Sequence, residues 1–187
     1  METLAIQHVQ KIFAQAKPII KIHGVGGSRW KRNVAKGRRI GPWLQGDFSI
    51  VNETAWNEKG ACLYLVQGND GHVRYAGISR NGVKHRWRLC PAYDAETMVE
   101  LPSRQLFHSQ CWKHIEAECL SQHGRSFEVR SIDAPSLTTV LAEIGAPLSG
   151  FLVLGNDHEG IVAAVERWIC NHSTQQLARW NVAMTGK

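Results

Sequence analysis

Two short apolar runs joined by a turn constrain this chain more than any other feature. Residues 61–79 read ACLYLVQGNDGHVRYAGIS. Asn-Asp-Gly between runs rich in aliphatic and aromatic side chains marks a β-hairpin, because Asn and Gly tolerate the positive φ of a tight turn. Strands are expected at 61–67 and 72–79. They carry Tyr64 and Tyr75, two of the chain's three tyrosines. Side chains alternate across a strand, so a two- or four-residue loop puts both phenols on one face of the sheet.

The remaining elements follow from periodicity. METLAIQHVQKIFAQA is broken by Gln, His and Lys, so it reads as an amphipathic helix burying Ile6, Val9 and Phe13 rather than as a signal peptide. A short basic helix is expected in NGVKHRWRLC (81–90) and a longer one in SRQLFHSQCWKHIEAECLSQ (103–122). SFEVRSID (126–133) alternates as a third strand. APSLTTVLAEIG is a helix stopped by Gly145. Asn156 or Asp157 caps the next helix, whose apolar positions 161, 162, 165, 168 and 169 recur at helical spacing. The order predicts an α+β domain over 56–187, a small three-stranded antiparallel sheet flanked by helices, with an insertion at about 91–125. Residues 1–55 are expected to be an N-terminal extension, one helix and then a basic arm.

Charge locates that arm. The chain of 187 residues has a net charge of +6, and RWKRNVAKGRR (29–39) holds six basic residues and no acidic one. Arg29, Lys31, Arg32, Lys36, Arg38 and Arg39 therefore form a footprint for a polyanion such as nucleic acid, flanked by Trp30 and Trp43. Six phosphate contacts give a log–log salt slope of about −5. Five cysteines, an odd number without disulfide-like spacing, fit a reducing cytosol. No run approaches the roughly 18 apolar residues of a membrane span. Cys111, His114, Cys119 and His123 cluster in CWKHIEAECLSQH, but one continuous helix spreads them around its circumference, so buried Cys with surface His is the better reading than zinc.

Tyr64 in Cys-Leu-Tyr, Tyr75 in Tyr-Ala-Gly, Arg86 on the following helix, Glu166 in AAVERWIC and Asn181 in ARWN form an ordered series. It resembles the GIY-YIG nuclease family over about residues 60–183. The resemblance implies that Tyr64 and Tyr75 are the tyrosines of the two tripeptides, and that Gly77 allows close backbone packing. Arg86 would be the helix arginine, Glu166 the metal carboxylate, and Asn181 the asparagine after the metal helix. It implies a restriction-type endonuclease that cuts phosphodiesters in double-stranded DNA with Mg²⁺ or Mn²⁺, with a homodimer suited to palindromic sites. Mobile-element or repair nicking, or a binding module without catalysis, are the alternatives. Ile78 stands where many members carry a basic residue, and Cys90 where some restriction-type members carry His.

The chemistry is consistent with those residue types. Mg²⁺ is held by one carboxylate when phosphate and water complete its octahedron. An arginine presents a planar fork to phosphate oxygens that lysine lacks. A phenol is a poor base at neutral pH unless nearby cations ease its ionisation, and Arg86 is expected to help in this way. On this reading Tyr64 addresses the attacking water and Tyr75 supports it or meets phosphate.

Overall fold

A computed structural model describes residues 2–33, 39–100, 106–107 and 111–182. The chain begins with helix α1 (Glu2–Gln15), strands β1 (Lys17–Asn33) and β2 (Arg39–Ile50), and the short helix α2 (Glu53–Asn57). The expected hairpin follows as β3 (Cys62–Gly68) and β4 (Val73–Ser79), then helix α3 (Val83–Trp87). Short strands β5 (Leu89–Cys90), β6 (Ala92–Asp94) and β7 (Leu106–Phe107) precede α4 (Trp112–Ser121). Strand β8 (Phe127–Asp133), helix α5 (Ala134–Ile144), a 3-10 stretch (Leu148–Leu154), α6 (His158–Asn171) and α7 (Arg179–Val182) complete it.

The class is α+β, but the sheet has six strands instead of the expected three. Its order is β2-β1-β8-β3-β4, with β6 added along β1, and every pairing is antiparallel. The three expected strands are β3, β4 and β8. The stretch read as an arm supplies two more, because β1 binds the second edge of β8, from Lys17↔Ser131 to Ile22↔Phe127. An open edge there would leave a row of unpaired peptide groups. Ile19, Ile20 and Ile22 are buried as β1 crosses the core. The signal was masked by Gly24, Gly26, Gly27 and Gly46, since glycine lowers strand propensity while backbone pairing needs no side chain. The expected helix at 103–122 is also shorter. It begins at Trp112, and Leu106–Phe107 pairs with Leu89–Cys90 instead.

Strand alternation sorts the core into two halves. Leu63 and Leu65 pack with α1, α5 and α6 on one side of the sheet. Cys62, Tyr64 and Val66 face the other, with Trp87, Trp112, Ile115 and Trp180. The register Val66↔Tyr75 is that of a four-residue connection, residues 69–72, and puts Tyr75 on the face of Tyr64. One step later the register slips at Arg74, a bulge that turns this side chain inward.

Candidate functional site

Tyr64 lies directly across from Gly77, and Tyr75 lies two residues before that glycine on β4. The two rings tilt over it with centroids 6.0 Å apart. A Cβ on Gly77 would come within 2.6 Å of the Tyr64 hydroxyl and 2.7 Å of the Tyr75 ring. Only a residue without a side chain lets the phenols converge. Trp87 of α3 abuts Tyr64 edge-on, with ring centroids 6.3 Å apart. Both tyrosines are buried, 5% and 6% exposed.

That burial decides their protonation. Desolvation raises the Tyr64 phenol well above its ordinary value, and Arg86 opposes the rise without reversing it. Tyr75 is likewise raised, by burial first, with the charge of Glu166 adding to it. The expectation that Arg86 would ease ionisation of a neighbouring phenol is therefore outweighed. Both groups are placed to donate hydrogen bonds at neutral pH rather than to remove protons.

Arg86 and Glu166 reach the same region from two helices. Arg86 is exposed on α3 and donates from Nε to the Ile78 carbonyl at 3.2 Å. Glu166 sits half-buried on α6, whose Val162, Val165 and Ile169 face the core. Burial raises its carboxyl above the ordinary value, and Arg167 and Arg86 pull it back only in part. It makes no hydrogen bond or ion pair among the described residues. A desolvated carboxylate lacking a partner fits one ligand position on a hard divalent cation. Among the described residues no group of three or more His, Cys, Asp or Glu side chains could hold a metal, so substrate and water would have to complete the shell. Asp157 instead caps α6 by accepting the Gly160 N–H at 2.9 Å, and Glu159 pairs with Arg80 at 2.9 Å.

Asn181 has a structural task. It is 3% exposed on α7 and forms two hydrogen bonds to Ala76, the residue between Tyr75 and Gly77. Its remaining N–H points to the Cys170 sulfur at 3.3 Å. No amide hydrogen is left for a substrate. The Ala178 N–H also donates to Val73 at 2.7 Å, so α7 seals the outer edge of β4.

A buried ionic network, which the sequence reading missed, fastens α7 in place. Glu118 accepts from Arg74, Arg179 and Trp180, the last at 2.8 Å. Arg74, 3% exposed in its side chain, also reaches Asp70, which pairs with Arg125 at 2.8 Å. Two residues away, Glu116 holds the β1–β2 hairpin through Arg29 at 2.6 Å and the Leu44 N–H at 2.8 Å. The signal was there in CWKHIEAECL. Glutamates two apart on a helix point about 200° away from each other, so each serves a different neighbour. His114 of the same stretch stacks on Trp180 at 5.5 Å.

The basic footprint is only partly described. Arg29 is tied to Glu116, Trp30 is buried, and Lys31 lies opposite Tyr93 of β6. Arg32 and Arg39 belong to paired strands, with their side chains outside the description, while Lys36 and Arg38 lie outside the described residues. No helix among the described residues is long and apolar enough to cross a membrane. Comparison with protein-family models, with curated proteins and with solved structures returns no match for this chain.

Proposed function

We propose that this protein is a metal-dependent DNA endonuclease of the GIY-YIG type, acting as a restriction-like enzyme in the cytosol. The observation that carries the reading is the convergence of Tyr64 and Tyr75 over Gly77, with Arg86 and Glu166, which has no hydrogen-bond or ion-pair partner among the described residues, within electrostatic reach. These are the residues the resemblance requires, and separate elements contribute them to one place. Among the described residues Cys62, Cys111, Cys119 and Cys170 form no disulfide, which suits a reducing compartment.

The roles follow from the chemistry. Water adds to phosphorus as one ester P–O bond breaks, the attacking water losing a proton to solvent and the departing sugar oxygen taking one up to leave as a hydroxyl. Arg86 offers its fork to the phosphate oxygens. The protonated phenols orient the water and a phosphate oxygen by donating hydrogen bonds. Glu166 would hold Mg²⁺ or Mn²⁺, which supplies electrophilic stabilisation of the phosphoryl group. Asn181 positions the strand that carries Tyr75.

Supercoiled plasmid and long linear DNA, incubated with Mg²⁺, Mn²⁺ or EDTA, test this. Discrete fragments from the wild type, abolished by EDTA and by Glu166→Ala, are expected. Nicking alone would keep the chemistry and point to a repair or mobile-element enzyme. The depth at which both phenols are buried favours one second reading, a nucleic-acid-binding module without catalysis. DNA retention without cleavage, equal in wild type and Glu166→Ala, would establish it.

A further inference from the structure

A groove of about 460 Å³, mostly apolar, runs between α6 and the 3-10 stretch. Phe151 and Leu154, three residues apart and so on one side of the 3-10 turn, form one wall. The α6 wall is built from Gly160, Ala163, Ala164 and Trp168, which helical spacing places on one face. Val153, next in the chain to Leu154, is 87% exposed. A groove and an exposed valine side by side mark an interaction surface, as scattered single apolar side chains do not.

The two ends of the groove carry opposite charge. At the start of α6, Asp157 accepts the Gly160 N–H through Oδ1, and its Oδ2 stands where a Cβ on Gly160 would be. Arg167 lines the other end, two turns and about 10 Å further along the helix. It is exposed and has no hydrogen bond or ion pair among the described residues. The centre, at Ala163 and Ala164, is neutral and small.

We propose that this groove is a self-association face, on which α6 packs antiparallel against α6 of a second copy about a two-fold axis at Ala163 and Ala164. A two-fold contact requires one patch to complement itself. Antiparallel packing does so, because it brings each Arg167 to the partner's Asp157 and each Val153 to the partner's Trp168. Parallel packing would set Arg167 against Arg167 and is disfavoured. Glycine and alanine at the centre let the two helices approach closely. Glu166 lies about 130° around α6 from the middle of the groove, so the candidate site stays open in the pair. The inference therefore goes beyond the nuclease reading and does not rest on it.

Sedimentation velocity from about 1 to about 100 μM, without DNA or metal, tests the proposal. The wild type is expected to form a dimer with a Kd of about 10 μM. Val153→Asp and Arg167→Glu are each expected to raise that Kd about tenfold or more. Both side chains are exposed, so each variant folds, and its Tm at about 1 μM reports that. Leu120→Asp, at an exposed apolar side chain on α4, is expected to change Kd by under about twofold. A wild type that stays monomeric over the whole range overturns the proposal, whatever other partner covers the groove. So does a dimer that either variant leaves as tight as the wild type, or one that Leu120→Asp weakens equally. Association is read without DNA, so its failure leaves the cleavage test of Glu166 untouched.

Discussion

Asn181 meets Ala76 twice: its Oδ1 accepts the Ala76 N–H at 2.9 Å, and its Nδ2 donates to the Ala76 carbonyl at 2.7 Å. One side chain thus behaves as the missing partner strand at the edge of β4. Asn181→Ala leaves both peptide groups without partners at a buried position, at a cost of about 2–4 kcal/mol. Asn181→Asp keeps the acceptor but sets a carboxylate oxygen against the carbonyl. Urea melts are expected to show both variants destabilised. A melt of Asn181→Ala that overlays the wild type would show that α7 does not secure β4.

Gly77 is where the two phenols depend on the backbone. Gly77→Ala introduces a methyl where the Tyr64 and Tyr75 rings already stand within 2.7 Å. Overpacking of this kind costs about 1–3 kcal/mol, and it separates the hydroxyls. Absorbance titration of tyrosine reads the change. In the wild type, Tyr64 and Tyr75 should remain protonated at about pH 11, where a free phenol has ionised. In Gly77→Ala their ionisation moves to lower pH, and DNA cleavage falls by about tenfold or more. Full ionisation of every tyrosine in the wild type at the free-phenol pH would contradict the burial argument.

Acid should open the molecule through the Asp70–Arg74–Glu118 network. Burial alone pushes the Asp70 carboxyl up, yet hydrogen bonds led by Arg74 hold it at about 2, against 3.8 unperturbed. Glu118 is lowered as well, its Arg179, Arg74 and Trp180 bonds outweighing desolvation. Depressed carboxyls contribute stability in full above their unfolded values. That contribution is lost as pH falls through the folded ones, from about 4 to about 2 for Asp70. Glu118→Ala leaves buried Arg74 with Asp70 as its one carboxylate and removes the acceptor of Arg179 and Trp180, so it lowers stability at neutral pH by about 1–3 kcal/mol. Its stability should then fall less steeply than the wild type's over the acid range. Parallel acid profiles would exclude Glu118 as a contributor.

Glu166 has the opposite sign. Burial raises its carboxyl, so its charged form strains the folded state, and stability declines as pH rises through the folded value. Glu166→Gln, which removes the desolvated charge, is expected to raise the Tm at neutral pH. Mn²⁺ or Mg²⁺ should raise the Tm of the wild type and leave that of Glu166→Gln unchanged. An equal metal shift in both proteins would remove Glu166 as the metal ligand.

What could be read from the sequence was local. The turn at Asn69–Gly71 and the alternation around it located the hairpin, and the shared face of Tyr64 and Tyr75 followed once the connection proved to be four residues long. Helical periodicity placed Glu166 at the rim of the buried face of α6. The six-stranded sheet was hidden because β1 joins β8 across more than a hundred residues, and its glycines imitate a loop. Asn181 looked chemical because nothing in ARWN reveals that its amide binds Ala76, 105 residues away. Glu118 was overlooked for the same reason: its partners Arg74 and Arg179 lie 44 and 61 residues from it.

The most direct test of the central claim is plasmid cleavage by wild type and Glu166→Gln side by side, with Mg²⁺ or Mn²⁺ present. The Tm of Glu166→Gln, measured alongside, separates lost chemistry from unfolding. Metal-dependent cleavage by the wild type and none by Glu166→Gln is the expected result. Undiminished cleavage by the variant, or none by the wild type under any divalent metal, would contradict it.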